Sequence, residues 1–214
     1  MFIYKLKLPL LILLVLLNSC SKSSNLGVET IPVDYSTSKF FNKVKIKSIS
    51  FQPLTRYDTV SSNDLSQANQ ILIEELTKLH YFNPNDNKIV SDQVFSSSLP
   101  SLIQSAQNFA VTNGVDATLT GIITESKISS DRVNVRFELY LVSSNPEITE
   151  PLWVAIFDNE SKSLTSNLIN SNYKSASKNS MSFKSTQEII HGGLLGAIDS
   201  LEEALATRVQ MKRK

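Results

Sequence analysis

Two histidines, one cysteine and a few acids are the residues that could do chemistry in this chain. His80 and His191 are the only imidazoles in 214 residues, and they stand about 110 positions apart. A zinc site needs three or four ligands, usually at His-x-x-x-His or Cys-x-x-Cys spacing. The single cysteine, Cys20, lies far from both histidines in sequence, so no metal is expected and no cofactor either. His80 ends a helical leucine pattern and suits a helix-capping role. "HGGL" at 191–194 has the lettering of an oxyanion-hole loop, but the Gly-x-Ser-x-Gly elbow such a loop serves is absent. Gly192, Gly193 and Gly196 fall inside a helical period, which points to a helix packed closely on a sheet. Asp116 and Asp131-Arg132 occupy turn-like positions, and Trp153 reads as core. No catalytic residue is assigned.

Cys20 belongs to a different chemistry. Lys5 and Lys7 precede an apolar run from Leu8 to Leu17, which stops at "LLVLLNSCSKSS". A basic start and an apolar core of about 10 residues make a signal peptide. The run is too short to cross a bilayer, which takes roughly 20 apolar residues. Leu17-Asn18-Ser19-Cys20 resembles the lipobox of bacterial lipoproteins, a small residue directly before an obligatory cysteine. The resemblance implies residues 1–19 as a lipoprotein signal peptide, cleavage before Cys20 and acylation of that residue. The other reading of Cys20 is a free thiol after a conventional signal. A buried methylene contributes about 0.8 kcal/mol, so several acyl chains on one residue hold a protein on a membrane. Ser21 after the cysteine favours the outer membrane, by analogy with enteric bacteria.

Cleavage leaves 195 of the 214 residues and takes the formal charge from +1 to −1. A near-neutral body argues against a nucleic-acid binder, which would carry a basic stripe. With no second cysteine there is no disulfide, and the core must hold the fold unaided.

The elements follow from periodicity. Residues 20–39 show neither a helical nor an alternating period and read as a flexible tether, with a single α/β domain over 40–208 and a basic tail at 209–214. "KVKIKSISF" (43–51) alternates as a strand. "DLSQANQILIEELTKLHYF" puts Leu65, Ala68, Leu72, Leu76 and Leu79 on one helical face, with Asp64 and Gln67 as a capping box. "NKIVSDQVF" (87–95) is a weaker strand candidate. "SLPSLIQSAQNFAVTNG" is a second helix, with Pro100 in its first turn and Gly114 at its exit. "DATLTGIIT" and "DRVNVRFELYLV" alternate with period 2, whereas "PLWVAIF" is apolar on both faces and reads as a strand covered on both sides. A last helix starts at Ser185, with Ile190, Leu194, Ala197, Leu201 and Leu205 inward. The order β-α-β-α-β-β-β-α predicts an α/β (α+β) fold, one mixed sheet of about five strands with helices packed on it.

"KVKIKSISF", "EELTKLHYF", "GVDATLTGII" and "LWVAIFD", in that order, resemble the periplasmic α/β domain of curli-secretion-type lipoproteins and the amino-terminal domain of TolB-like proteins. The resemblance implies partner binding or envelope assembly and supplies no catalytic residue. Long amphipathic hairpins able to build a barrel are not visible.

The polar connection near 159–184 is about 25 residues long, well beyond a typical loop, and loops of that length are often functional. Leu164, Asn167, Leu168 and Tyr173 are its candidate partner-contact residues. The favoured function is therefore a non-catalytic, outer-membrane lipoprotein facing the periplasm, held by lipidated Cys20 and binding another envelope protein. The alternative is a periplasmic hydrolase whose site forms only in three dimensions.

Overall fold

A computed structural model describes residues 28–82, 94–95, 98–129, 132–159 and 185–211. Six strands and three helices lie among them: β1 Asp34–Thr37, β2 Ile49–Phe51, β3 Thr55–Arg56, α1 Ser62–Leu76, α2 Leu99–Thr112, β4 Ala117–Ser129, β5 Arg132–Ser143, β6 Trp153–Asp158 and α3 Thr186–Met211. The strands form one open mixed sheet in the order β1-β6-β5-β4-β2, with β3 also on β4. From β4 to β1 every neighbour is antiparallel, whereas β2 and β3 run parallel to β4. The α+β reading holds, with six strands where about five were expected.

The period of 2 in β4, β5 and β6 sorts their side chains onto two faces. Ala117, Leu119, Ile123, Val135, Phe137, Leu139, Leu141, Trp153, Ala155 and Phe157 join the main core beneath α1 and α3. Ile122, Tyr140 and Val142 lie on the other face under Leu102 and Ala106 of α2. The helices therefore cover both sides of the sheet. Thr118 and Thr120 are fully buried in that second layer, and Thr118 shares a 2.8 Å hydrogen bond with Ser50.

Helix limits follow local chemistry. Ser61, not Asp64, caps α1: its Oγ accepts from the Asp64 amide at 3.1 Å. Ser185 Oγ accepts from the Glu188 amide at 3.2 Å, starting α3 as expected. Pro100 lies in the first turn of α2, and Gly114 leaves it at φ 63°, a left-handed conformation suited to glycine.

Four expectations need correction. First, folded structure does not begin near Phe40. Residues 28–39 are not a free tether, because β1 pairs with β6 and Val33 is buried. Second, the strand in "KVKIKSISF" is only Ile49–Phe51. The amides of Lys47 and Ser48 donate to Asp116 Oδ2 at 2.8 and 3.1 Å instead of to a ladder. Alternation survives there without a strand: Lys43, Lys45 and Lys47 are exposed and Ile46 is buried. Third, β6 is fully covered on one face only: on the other, Val154 packs against the layer under α2, but Ile156 is 41% exposed. Fourth, His80 is exposed four residues past the end of α1 and caps nothing; Thr77 is the C-cap, and its hydroxyl donates to the Glu74 carbonyl at 2.7 Å. The strand expected at 87–95 lies mostly outside the described residues. Its end, Val94, bridges to Arg56.

Candidate functional site

Cys20 and the four candidate contact residues Leu164, Asn167, Leu168 and Tyr173 all lie outside the described residues. The stems that carry them are described, and they meet at one end of the domain. β5 starts at this end and runs to the other, about 40 Å at roughly 3.3 Å per residue. α3 also starts here, as do α1 and the segment entering β1.

Three devices build this end. Asp64, in the first turn of α1 and buried, accepts from Ser126 Oγ at 2.5 Å and from Thr186 Oγ1 at 3.3 Å. One carboxylate thus joins the starts of α1 and α3 to the projecting β4–β5 ribbon. A bulge between Ile123 and Glu125 shifts the register that brings Ser126 to this face. Next, Asn159 acts as a ladder residue. Its Oδ1 accepts from the Val135 amide and its Nδ2 donates to the Val133 carbonyl, each at 2.5 Å. The connection at 160–184 therefore leaves from a fixed point beside β5 and returns at Ser185.

The third device is a notch in α3. The Ile31 amide donates to the Gly192 carbonyl at 2.9 Å. A Cβ on Gly192 would lie 2.6 Å from the Glu29 carbonyl oxygen, and one on Gly196 would overlap the Ile31 carbonyl. Gly193 instead faces Phe137 and Phe157 of the sheet. Two of the three glycines thus seat the chain that follows Cys20, and only one meets the sheet packing expected of all three. The alternation Ile31, Val33, Tyr35 was the overlooked signal: Val33 is buried and the other two are half-buried.

The ionisable groups do not converge into a reaction centre among the described residues. Arg136 pairs with Asp158 at 2.9 Å across β5 and β6, and Lys127 pairs with Glu125. Tyr140 donates to Glu138 on the same strand, and burial, then that carboxylate, pushes its pKa well above 10.0. Asp199 is raised by partial burial and by Glu202 and Glu75. Arg208 is lowered by burial, against the opposing pull of Tyr81 and Asp116. Asp116 is structural, taking three hydrogen bonds from residues 47 and 48. His191 lies within α3 and His80 beyond α1, and no group of three or more His, Cys, Asp or Glu side chains able to hold a metal occurs among the described residues. A groove of about 470 Å³ at the far end is lined by Phe40, Lys43, Val44, Lys45, Asn145, Glu147 and Ile148. None of these is a nucleophile–base pair.

No family model matches this chain, and no curated protein does. Among solved structures it is similar to the PelC dodecamer from Paraburkholderia phytofirmans, at 13% identity and TM-score 0.36, over 58% of this chain and 76% of that one. A point-variant PelC dodecamer from the same organism gives 12% and 0.42, over 78% and 96%. The LpoB C-terminal domain from Salmonella enterica gives 13% and 0.26, over 54% and 84%. Likenesses of this degree assign neither family nor function.

Proposed function

We propose that this chain is a non-catalytic bacterial lipoprotein, anchored to the outer membrane by acylated Cys20, whose domain binds another envelope protein. The lipobox and the curli-secretion-type phrases support the class. The observation that carries the reading is how soon after Cys20 the chain joins the fold. The Glu29 carbonyl already sits against Gly192, and the Ile31 amide is hydrogen-bonded to α3. Eight residue steps reach at most about 29 Å at 3.6 Å each. The domain thus lies close to the bilayer, with the end that bears the 160–184 connection toward it. Leu164, Asn167, Leu168 and Tyr173 then contact the partner beside the membrane.

Cys20→Ala tests the anchor. The variant should keep its leader and lose the acyl mass, while the native chain should show both the cleavage and the added lipid by mass spectrometry. A native residue 20 without lipid overturns the reading. Deleting 160–180 tests the contact. The deletion leaves Asn159 in place because its side chain completes the β5 ladder. The fold should survive and in-cell cross-linking to the partner should be lost; an unchanged cross-link refutes the loop's role.

A further inference from the structure

The end of the domain away from the anchor carries a charge pattern that the net charge conceals. Lys39, Lys43, Lys45 and Lys47 lie within nine residues, all exposed. None makes an ion pair among the described residues. Lys39 and Lys43 flank the Phe40 ring at 5.0 and 5.7 Å. Arg208, near the end of α3, stacks over the next residue, Phe41, at 5.9 Å. It is only 6% exposed, and its Nε has no hydrogen-bond partner. The four exposed lysines therefore carry the accessible positive charge of this end.

Beside this cationic edge runs the groove whose apolar lining is Phe40, Val44 and Ile148. Its wall is fixed by the buried Gln107 of α2, whose Nε2 donates to the carbonyls of Asn145 at 2.7 Å and of Ser143 and Ile148 at 3.2 Å. Glu147 is the one acid in the lining. A firm apolar trough edged by unpaired cations complements a chain that carries both carboxylates and apolar side chains.

We propose that this end is a docking surface for an acidic peptide segment of a partner protein. Apolar side chains of that segment enter the groove, and its carboxylates meet Lys43 and Lys45. The site is a second protein contact beside the one proposed at 160–184, and it rests on that reading for which end of the domain faces the membrane. A protein segment is favoured over lipid headgroups because β5 and α3 span the length of the domain between this edge and the anchored end.

The test is fluorescence anisotropy on the full chain with a labelled peptide of alternating glutamate and leucine. A glutamine–leucine peptide is the control, and phosphatidylglycerol vesicles compete in a third arm. The acidic peptide should bind, and added salt should weaken it. Lys43→Glu with Lys45→Glu, two exposed changes that leave the core intact, should weaken binding about tenfold. Glu147→Lys should strengthen it about threefold. Equal binding of the glutamine peptide, no change in the double lysine variant, or preferential binding to the vesicles would each overturn the proposal. The Cys20→Ala chain should bind the peptide as well as the wild type, so a failed anchor and a failed docking surface give different results.

Discussion

Gly196→Ala separates a structural role for the segment after Cys20 from a mere linker, because the two roles give opposite signs. Alanine in a helix interior is favoured over glycine by about 1 kcal/mol. If residues 28–33 were a loose tether, the substitution would stabilise the domain by about that amount. The structure says otherwise, since the new methyl would overlap the Ile31 carbonyl and touch Val33. Displacing the segment forfeits the burial of Val33, about 2 kcal/mol, and the Ile31–Gly192 hydrogen bond, about 1 kcal/mol. Setting the helix gain against these leaves a net loss of about 2 kcal/mol. In a domain of this size that lowers the melting temperature by about 4–8 °C. Urea unfolding gives the free energy, and hydrogen exchange at the Ile31 amide reports whether the segment has left its notch. A variant more stable than the wild type, with the Ile31 amide still protected, would refute the reasoning.

Three further outcomes are expected. Asp64→Ala leaves Ser126 Oγ and Thr186 Oγ1 without their shared acceptor and should cost about 2 kcal/mol in urea unfolding, whereas Asp64→Asn, which keeps an acceptor, should cost less. Gly114→Ala places a side chain at φ 63° with no atom within 4 Å, so it should cost about 1 kcal/mol from the backbone alone. Asp199 has a folded pKa above its ordinary 3.8, so the fold holds that proton more tightly than the unfolded chain does, and its contribution to stability is lost as pH rises through that range. Asp199→Asn should therefore match the wild type in stability near pH 3 and exceed it at pH 7, as measured by parallel urea titrations.

The residues that the sequence placed well share a local cause. Leu65, Ala68, Leu72 and Leu76 repeat at helical spacing and do form a buried face. Val135, Phe137, Leu139 and Leu141 alternate and do line the core. In both, the period of the backbone writes itself directly into the side-chain pattern. The failures come from partners distant in sequence. "KVKIKSISF" alternates, yet Asp116, about 70 positions on, takes the amides that a longer strand would have given to a ladder. "PLWVAIF" is apolar throughout, but only the placement of α2 decides which face is covered, and Ile156 stays half in water. β1 is four polar-looking residues that form a strand by pairing with β6, while Gly192 and Gly196 seat the residues just before it. β2 and β3 are two short pairings on one edge of β4, and between them the Leu54 amide donates to the Asn69 side chain at 2.8 Å, another partner distant in sequence. Of the site, the basic and apolar run before Cys20 is contiguous and legible; the groove that Phe40 and Val44 share with Asn145 and Ile148 is not.

The two ends of the domain together restrict where a partner can be. α3 has 26 residues, which is about 39 Å of helix at 1.5 Å per residue. It starts at the end proposed to face the membrane and finishes near Phe41, at the opposite end. If Cys20 is acylated as proposed, adding the reach of about 29 Å from Cys20 to residue 28 puts the groove no more than about 70 Å from the bilayer. With the tether slack, the groove comes nearer. An acidic segment that docks there must enter this shell, whereas a contact through 160–184 takes place at the membrane side. Lengthening the chain between Cys20 and Val28 by about 20 Gly/Ser residues would extend the shell by roughly 25 Å without touching either surface. Docking at the groove should tolerate that insertion, and contact through 160–184 with a membrane-embedded partner should weaken. The reverse pattern in cross-linking yields would show that the two surfaces have been assigned to the wrong ends.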